Sequence, residues 1–295
     1  DRVRVRGIDL SSPHAPASRL RATLQSLDPV HADTDADALV ALTASGVPDD
    51  AADRHEWLEA VERAARSLRD TLEDRTGAIE DGRRRALVTA THLCRVVEQN
   101  CEWARVRHEH DGPHPAGMAA RDRLMAENVA RLSERDAGDG VVVWAHNGHV
   151  QRGTFDDGAP WGDEPTLGER LDRRFGRRYV PLGFDFARGT FRAVERDTAG
   201  GGPSSFSVTG PLEGSLTERL DELDVAPSFL DVAAAATDGR LDPWLQRPRR
   251  IRYVGSVYAP TAPPAESYQR TPLAASYDGL FFVARSTPTR ALDYS

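Results

Sequence analysis

Lysine is absent from the 295 residues, so all 38 basic positions are arginine. Without an ε-amino group there is no Schiff-base residue and no P-loop lysine to reach nucleotide phosphates. Cysteine is almost absent too: Cys94 and Cys101 are the pair, and a seven-residue step along a predicted helix leaves them two turns apart, too far for a local bridge. A disulfide framework is excluded, and the two read as small buried hydrophobes. No G-x-S-x-G elbow presents a serine nucleophile. No apolar run reaches membrane-spanning length, and no basic-apolar-small leader opens the chain. The formal net charge is -8 and the pI about 5.6, which offers no basic surface to a phosphate backbone or an anionic bilayer. We therefore expect neither nucleic acid nor membrane as a partner, and a cytoplasmic location fits. Isoleucine and asparagine are scarce while alanine, aspartate and glycine abound, which reads as GC-rich codon bias.

What is present suffices for a sizeable core, with 39% hydrophobic residues. The chain starts without methionine and enters Val3 to Asp9, an alternating apolar and charged run that predicts a strand; the expectation is that a further segment precedes it. From about Pro16 to Arg135 the spacing is helical: Leu20, Leu24 and Leu27, then Trp57, Leu58, Val61, Ala65 and Leu68. A further helix is predicted from Arg84 to Arg107, ended by a loop at Asp111-Gly112-Pro113, and another from Arg121 to Leu132, with Asp122 near its start. Val141 to Trp144 is a continuous apolar run of the kind that forms a strand buried on both faces. Strands are then expected at Tyr179 to Phe186, Thr190 to Val194, Ile251 to Val257 and Leu280 to Ala284, with an amphipathic helix from Pro165 to Phe175 and a loop at Ala199 to Ser205. The predicted class is α/β, a mixed or parallel sheet core with a large helical insertion in the N-terminal half: residues 1–12 as a core strand, 13–118 mainly helical, 119–295 the α/β core with C-terminal strands.

The strongest chemical signal is the loop after the apolar run, His146-Asn147-Gly148-His149. Ligands gather at the carboxyl ends of strands in open α/β sheets, and an imidazole can accept a proton near neutral pH and return it to a leaving group. Asn147 is placed to polarise a carbonyl or orient a ring. Arg121 has the planar fork that holds a carboxylate or oxyanion; the plainer reading leaves it solvated, with Asp122 favouring a helix N-terminus. His108, His110 and His114 match no zinc spacing, and His55-Glu56 lacks the second histidine of a helical zinc protease. The run Gly200 to Gly202 precedes no helix suited to pyrophosphate and reads as a loop.

In combination, V-R-G-I-D at Val5 to Asp9, Arg121 to Asn128 (R-D-R-L-M-A-E-N), Val142 to Val150 (V-V-W-A-H-N-G-H-V), Leu182 to Phe186 with Gly189 and Phe191, and Tyr277 to Phe282 with Thr287-Pro288 resemble the erythromycin esterase family, which includes proteins named for succinoglycan biosynthesis. The likeness spans nearly the whole chain. It implies an α/β core with a helical insertion and hydrolysis by histidine-activated water without a serine nucleophile, the prototype opening a macrolactone. Macrolide and antibiotic resistance are terms that the family name brings, but macrolide resistance does not follow from the resemblance, since pocket shape decides the substrate. By motif match, the resemblance makes His149 the leading catalytic histidine, His146 its neighbour and Arg121 a substrate or oxyanion contact; Asn147 and Asp122 are expected to bind substrate, with Asp122 or Asp185 orienting a ring. The family's G-E-x-T-H-G loop, whose Glu and His belong to its catalytic constellation, does not occur among these residues, and the resemblance places it before Asp1.

The expected partner is a small-molecule ester, with no metal and no cofactor; oligomeric state is not legible. A second reading, from another class, keeps the cleft without the chemistry: a small-molecule or exopolysaccharide-associated binding protein, with His149 or His146 as axial ligand to haem.

Overall fold

The computed structural model describes residues 5–10, 12–27, 34–75, 81–109, 114–135, 140–154, 163–196, 202–225 and 227–290. Two compact units result, Asp1–Arg131 and Leu132–Ser295. The class is mixed α/β with a large helical N-terminal region, as expected.

The first unit is built from α1 (His14–Leu27), α2 (Thr34–Thr43), α3 (Ala51–Arg75), α4 (Asp81–His108) and α5 (Pro115–Arg135), the last running past the unit's end. Steps of three and four put Ala17, Leu20 and Leu24 of α1 on one stripe, and Trp57, Leu58, Val61, Ala65, Leu68 and Leu72 of α3 on another. All are buried against Leu87, Ala90, Cys94, Val97 and Cys101 of α4 in one apolar cluster. Both cysteines are buried and neither is in a disulfide; burial pushes the Cys101 thiol up to about 12, so it stays protonated at neutral pH. Flanking the core, Arg69 holds both oxygens of Glu98 at 2.9 and 2.7 Å, and Arg105 donates to Glu62 at 2.5 Å.

The second unit begins with a one-turn helix, α6 (Asn147–Val150), followed by α7 (Leu167–Phe175). Thr166 caps α7 by accepting from Glu169 N, while Glu169 accepts from Gly153 N, so the T-x-x-E spacing fixes where this helix starts. Then come β1 (Leu182–Glu195), β2 (Ser204–Val208), α8 (Leu216–Glu222), β3 (Ser228–Asp231), α9 (Val232–Ala235), α10 (Asp242–Leu245), β4 (Arg249–Arg252), β5 (Val257–Tyr258), β6 (Tyr268–Thr271), α11 (Leu273–Ser276) and β7 (Gly279–Ser286). The sheet order is β2-β1-β7-β3, with β5 on the far end of β1; β4 and β6 form a separate antiparallel pair. β1 runs parallel to β7 and β5 and antiparallel to β2, a mixed sheet. Two predicted strands, Tyr179 to Phe186 and Thr190 to Val194, are one strand. They join at Gly189, whose φ of +117 and approach to Ser286 O, 2.2 Å from where a Cβ would sit, admit no side chain. Under the sheet, Val150, Leu216, Val232, Ile251, Leu273, Tyr277 and Leu280 form the core.

Three local expectations are corrected. Residues 5–10 carry no strand (residues 1–4 lie outside the described residues), and Val141 to Trp144 carries none either. A strand exists only where a neighbour takes its backbone groups, and among the described residues none pairs with either run. Val143 and Ala145 pack on the core while Val142 and Trp144 are 91% and 84% exposed, so the run alternates inside and outside and is not buried on both faces. Arg121-Asp122 does not open a helix: α5 starts at Pro115, and Asp122 lies inside it, fully buried, because helical spacing extends upstream past the pair. The loop at 111–113, His110, and Gly200 and Gly201 fall outside the described residues.

Gly168 sits tight against the carboxyl end of α6: a Cβ there would lie 2.2 Å from Gln151 O and 2.3 Å from Val150 O. Gly168→Ala should cost on the order of 3 kcal/mol and lower the melting temperature by roughly 6–12 °C. Gly140→Ala, where nothing lies within 4 Å, should leave it unchanged. Scanning calorimetry of both variants checks the contrast.

Candidate active site

The His146 to His149 loop of the second unit is a capped helical turn. His146 is the N-cap of α6, with extended backbone and Nδ1 accepting from Gly148 N at 3.1 Å. Its ring also bonds the backbone of Val254 and meets the Tyr253 ring edge-on at 4.3 Å. Burial is the main reason its pKa falls to about 4; the neighbouring His149 lowers it further, and the Val254 bond offsets part. His146 is therefore a neutral, fixed ring at physiological pH. Ligation of haem by this residue would require giving up one of these bonds. His149 follows on the last turn of α6, half-buried, its N–H donating to His146 O at 2.9 Å.

Asn147 is committed to the backbone. Its Nδ2 donates to Phe184 O at 2.6 Å and its Oδ1 accepts from Phe184 N at 3.0 Å, the two-point pattern a neighbouring strand would make with β1. On the other side, Tyr277, fully buried, donates to Asn147 O at 3.2 Å, and Tyr179 donates to Val150 O at 2.6 Å. Burial raises the pKa of both phenols, so they remain donors. Arg152, just past the turn, reaches Asp172 at 2.8 Å and both oxygens of Asp278 at 3.0 and 2.8 Å. None of Tyr179, Tyr253 or Val254 stood out in the sequence, since each lies some thirty to over one hundred residues from the turn; Tyr277-Asp278 is visible there only inside a longer resembling segment.

Among the described residues the hydrogen-bond partners of the Asp185 carboxylate are not rings. Its Oδ2 accepts from Thr217 Oγ1 at 2.7 Å and its Oδ1 from Phe186 N at 2.8 Å, tying α8 to β1. Burial raises its pKa to about 6, with Thr217, the Phe186 N–H and Arg252 offsetting part. Arg252 is itself buried, donating to Phe186 O, Ala187 O and Gly210 O between the rings of Phe186 and Tyr268.

Arg121 and Asp122 belong to the first unit. Arg121 Nε and Nη2 grip the two oxygens of Asp9 at 2.7 and 2.5 Å; Asn128 Nδ2 donates to Ile8 O at 3.0 Å, and Leu10 packs with Val96 and Leu124. The R-D-R-L-M-A-E-N helix thus holds the V-R-G-I-D segment, two of the motifs singled out in the sequence. Among the described residues no cluster of three or more His, Cys, Asp or Glu could hold a metal ion, and no helix is long and apolar enough to cross a membrane.

A family model described as Erythromycin esterase matches residues 1–286. Three solved structures share the fold. A Bacillus cereus protein gives a TM-score of 0.73 at 19% identity over 99% of this chain and 69% of its own. A succinoglycan biosynthesis protein gives 0.67 at 16% over 97% and 65%, and a histidine-to-asparagine mutant of the erythromycin esterase EreC in its open conformation gives 0.57 at 16% over 95% and 68%. The chain thus spans about two thirds of the length of each.

Two pH measurements follow from this geometry. The His146 ring should show no titration by NMR between pH 5.5 and 8; because its folded pKa is depressed, the stability tied to its neutral form is present above about 6.5 and is lost as pH falls toward about 4. Asp185 has the opposite sign: its folded pKa is raised, so stability is lost as pH rises from about 3.8 through about 6. Asp185→Asn should therefore raise the melting temperature relative to wild type more at pH 7.5 than at pH 4; an equal difference at both pH values contradicts the assignment.

Proposed function

The chain belongs to the erythromycin esterase family, and from that premise we propose that it forms the histidine-bearing part of a hydrolase that cleaves an ester with activated water, His149 acting as general base. The observation that carries this reading is the state of His146: capping α6, bonded to Val254 and held neutral by burial, it serves to fix the turn, and acid-base work falls to the other imidazole. His149 takes a proton from water as the oxygen adds to the ester carbonyl. The tetrahedral adduct then collapses, the C–O bond to the alcohol breaks, and the imidazolium returns the proton to the departing alkoxide, giving a carboxylic acid and an alcohol.

In this reading Asn147 positions the turn through Phe184, and Arg121 and Asp122 maintain the first unit's helix and its Asp9 partner. A macrolactone is one ester among several that the family name brings into consideration.

His149→Ala should lower ester turnover by about two to four orders of magnitude while the far-ultraviolet circular dichroism and melting temperature stay near wild type. Turnover is followed on p-nitrophenyl esters and, by mass spectrometry, on erythromycin. Wild-type rates in the variant would sink the proposal. Arg121→Gln, by contrast, should act chiefly on stability, with Asp9→Asn giving a similar loss of melting temperature.

A further inference from the structure

A cleft of about 460 Å³ opens in the second unit, a volume within the range of roughly 300–1,000 Å³ typical of small-molecule sites. Its polar floor is already matched. Arg152 is ringed by Asp172, Asp278 and the Tyr179 carbonyl, so its charge is balanced and its fork occupied, and the Tyr179 hydroxyl donates to Val150 O. One wall is apolar, with Leu182 and Phe229 both partly exposed where they line the cleft. On the rim stands Arg177, exposed and without an ion pair among the described residues. Asp231, also lining the cleft, uses Oδ1 to accept from Ala234 N.

The four charged side chains of the lining, Arg152, Arg177, Asp231 and Asp278, sum to zero, which disfavours a polyanion such as a nucleotide. Arg152 is balanced by its own two carboxylates and Asp231 gives Oδ1 to Ala234 N, so among the described residues Arg177 is the lining cation with no carboxylate on it, and it lines the cleft together with an aromatic and an aliphatic side chain. We propose that this cleft binds a small monocarboxylate with an apolar body, its ring or chain against Leu182 and Phe229 and its carboxylate on Arg177. The proposal rests on the lining alone and does not require the ester chemistry of His149.

The probe is phenylacetate, titrated into the natural gene product and followed by NMR and calorimetry, with phenylacetamide as its uncharged counterpart. Saturable binding of phenylacetate is expected, weakened about tenfold by Arg177→Gln and to a similar degree by Phe229→Ser. Phenylacetamide should bind more weakly and be indifferent to Arg177→Gln, and His149→Ala should leave phenylacetate binding intact. Both cleft substitutions alter exposed or half-exposed side chains, so the fold should survive them. Lack of saturable binding, indifference of phenylacetate to both cleft variants, or its loss in His149→Ala would each overturn the assignment.

Discussion

A helix of four residues cannot satisfy its own backbone, and the second unit is arranged around that constraint. Such a turn closes only a few backbone bonds of its own, among them those from His149 N and Val150 N to His146 O, and the remaining groups need partners from elsewhere. Here the partners are specific: His146 caps the amino end, Tyr277 and Tyr179 donate to the carbonyls of Asn147 and Val150, and the Asn147 amide pairs with Phe184 as a strand would. The Tyr277 partner comes from the link between α11 and β7, so the turn bearing His149 is held by the segment that leads into the sheet. Gly168 lets α7 close on the turn's far end, where a side chain would meet backbone oxygens.

Arginine as the sole cation has structural consequences. Arg252 satisfies three carbonyls at once while stacked between Phe186 and Tyr268, and Arg152 bridges two carboxylates and a carbonyl. A flat guanidinium with several fixed donors can do this in a half-buried site; an ammonium, a compact and strongly hydrated point charge, could not reproduce the geometry. The same burial that the guanidiniums tolerate moves ionisable neighbours toward neutrality, lowering His146 and raising Asp185.

The outer face of the sheet carries a ladder of rings. Trp144 lies 5.5 Å from Phe184, Phe184 is stacked 5.0 Å from Phe281, and Phe281 lies 4.7 Å from Phe229. These positions alternate with buried ones along β1 and β7, so they share a face by the two-residue period of a strand. Contact among the rings gives this face its cohesion.

Periodicity alone determined the helical half, because Leu20, Leu24, Val61 and Leu68 repeat at steps that only a helix places on one side. The T-x-x-E start of α7 and most of the C-terminal strands were likewise local properties. The His146 to His149 segment could be identified as chemically important from its residue types and the motif resemblance. Tertiary structure alone decided what each of its side chains does. Whether Val141 to Trp144 becomes a strand depends on a neighbour's free backbone groups, and whether His146 accepts a proton depends on its burial and on Val254, more than a hundred residues away. Likewise Arg121 and Asp9, 112 residues apart, become a pair only once α5 is in place. Sequence spacing encodes the period of an element, whereas charge, desolvation and hydrogen-bond partnership are set by whatever the folded chain brings alongside.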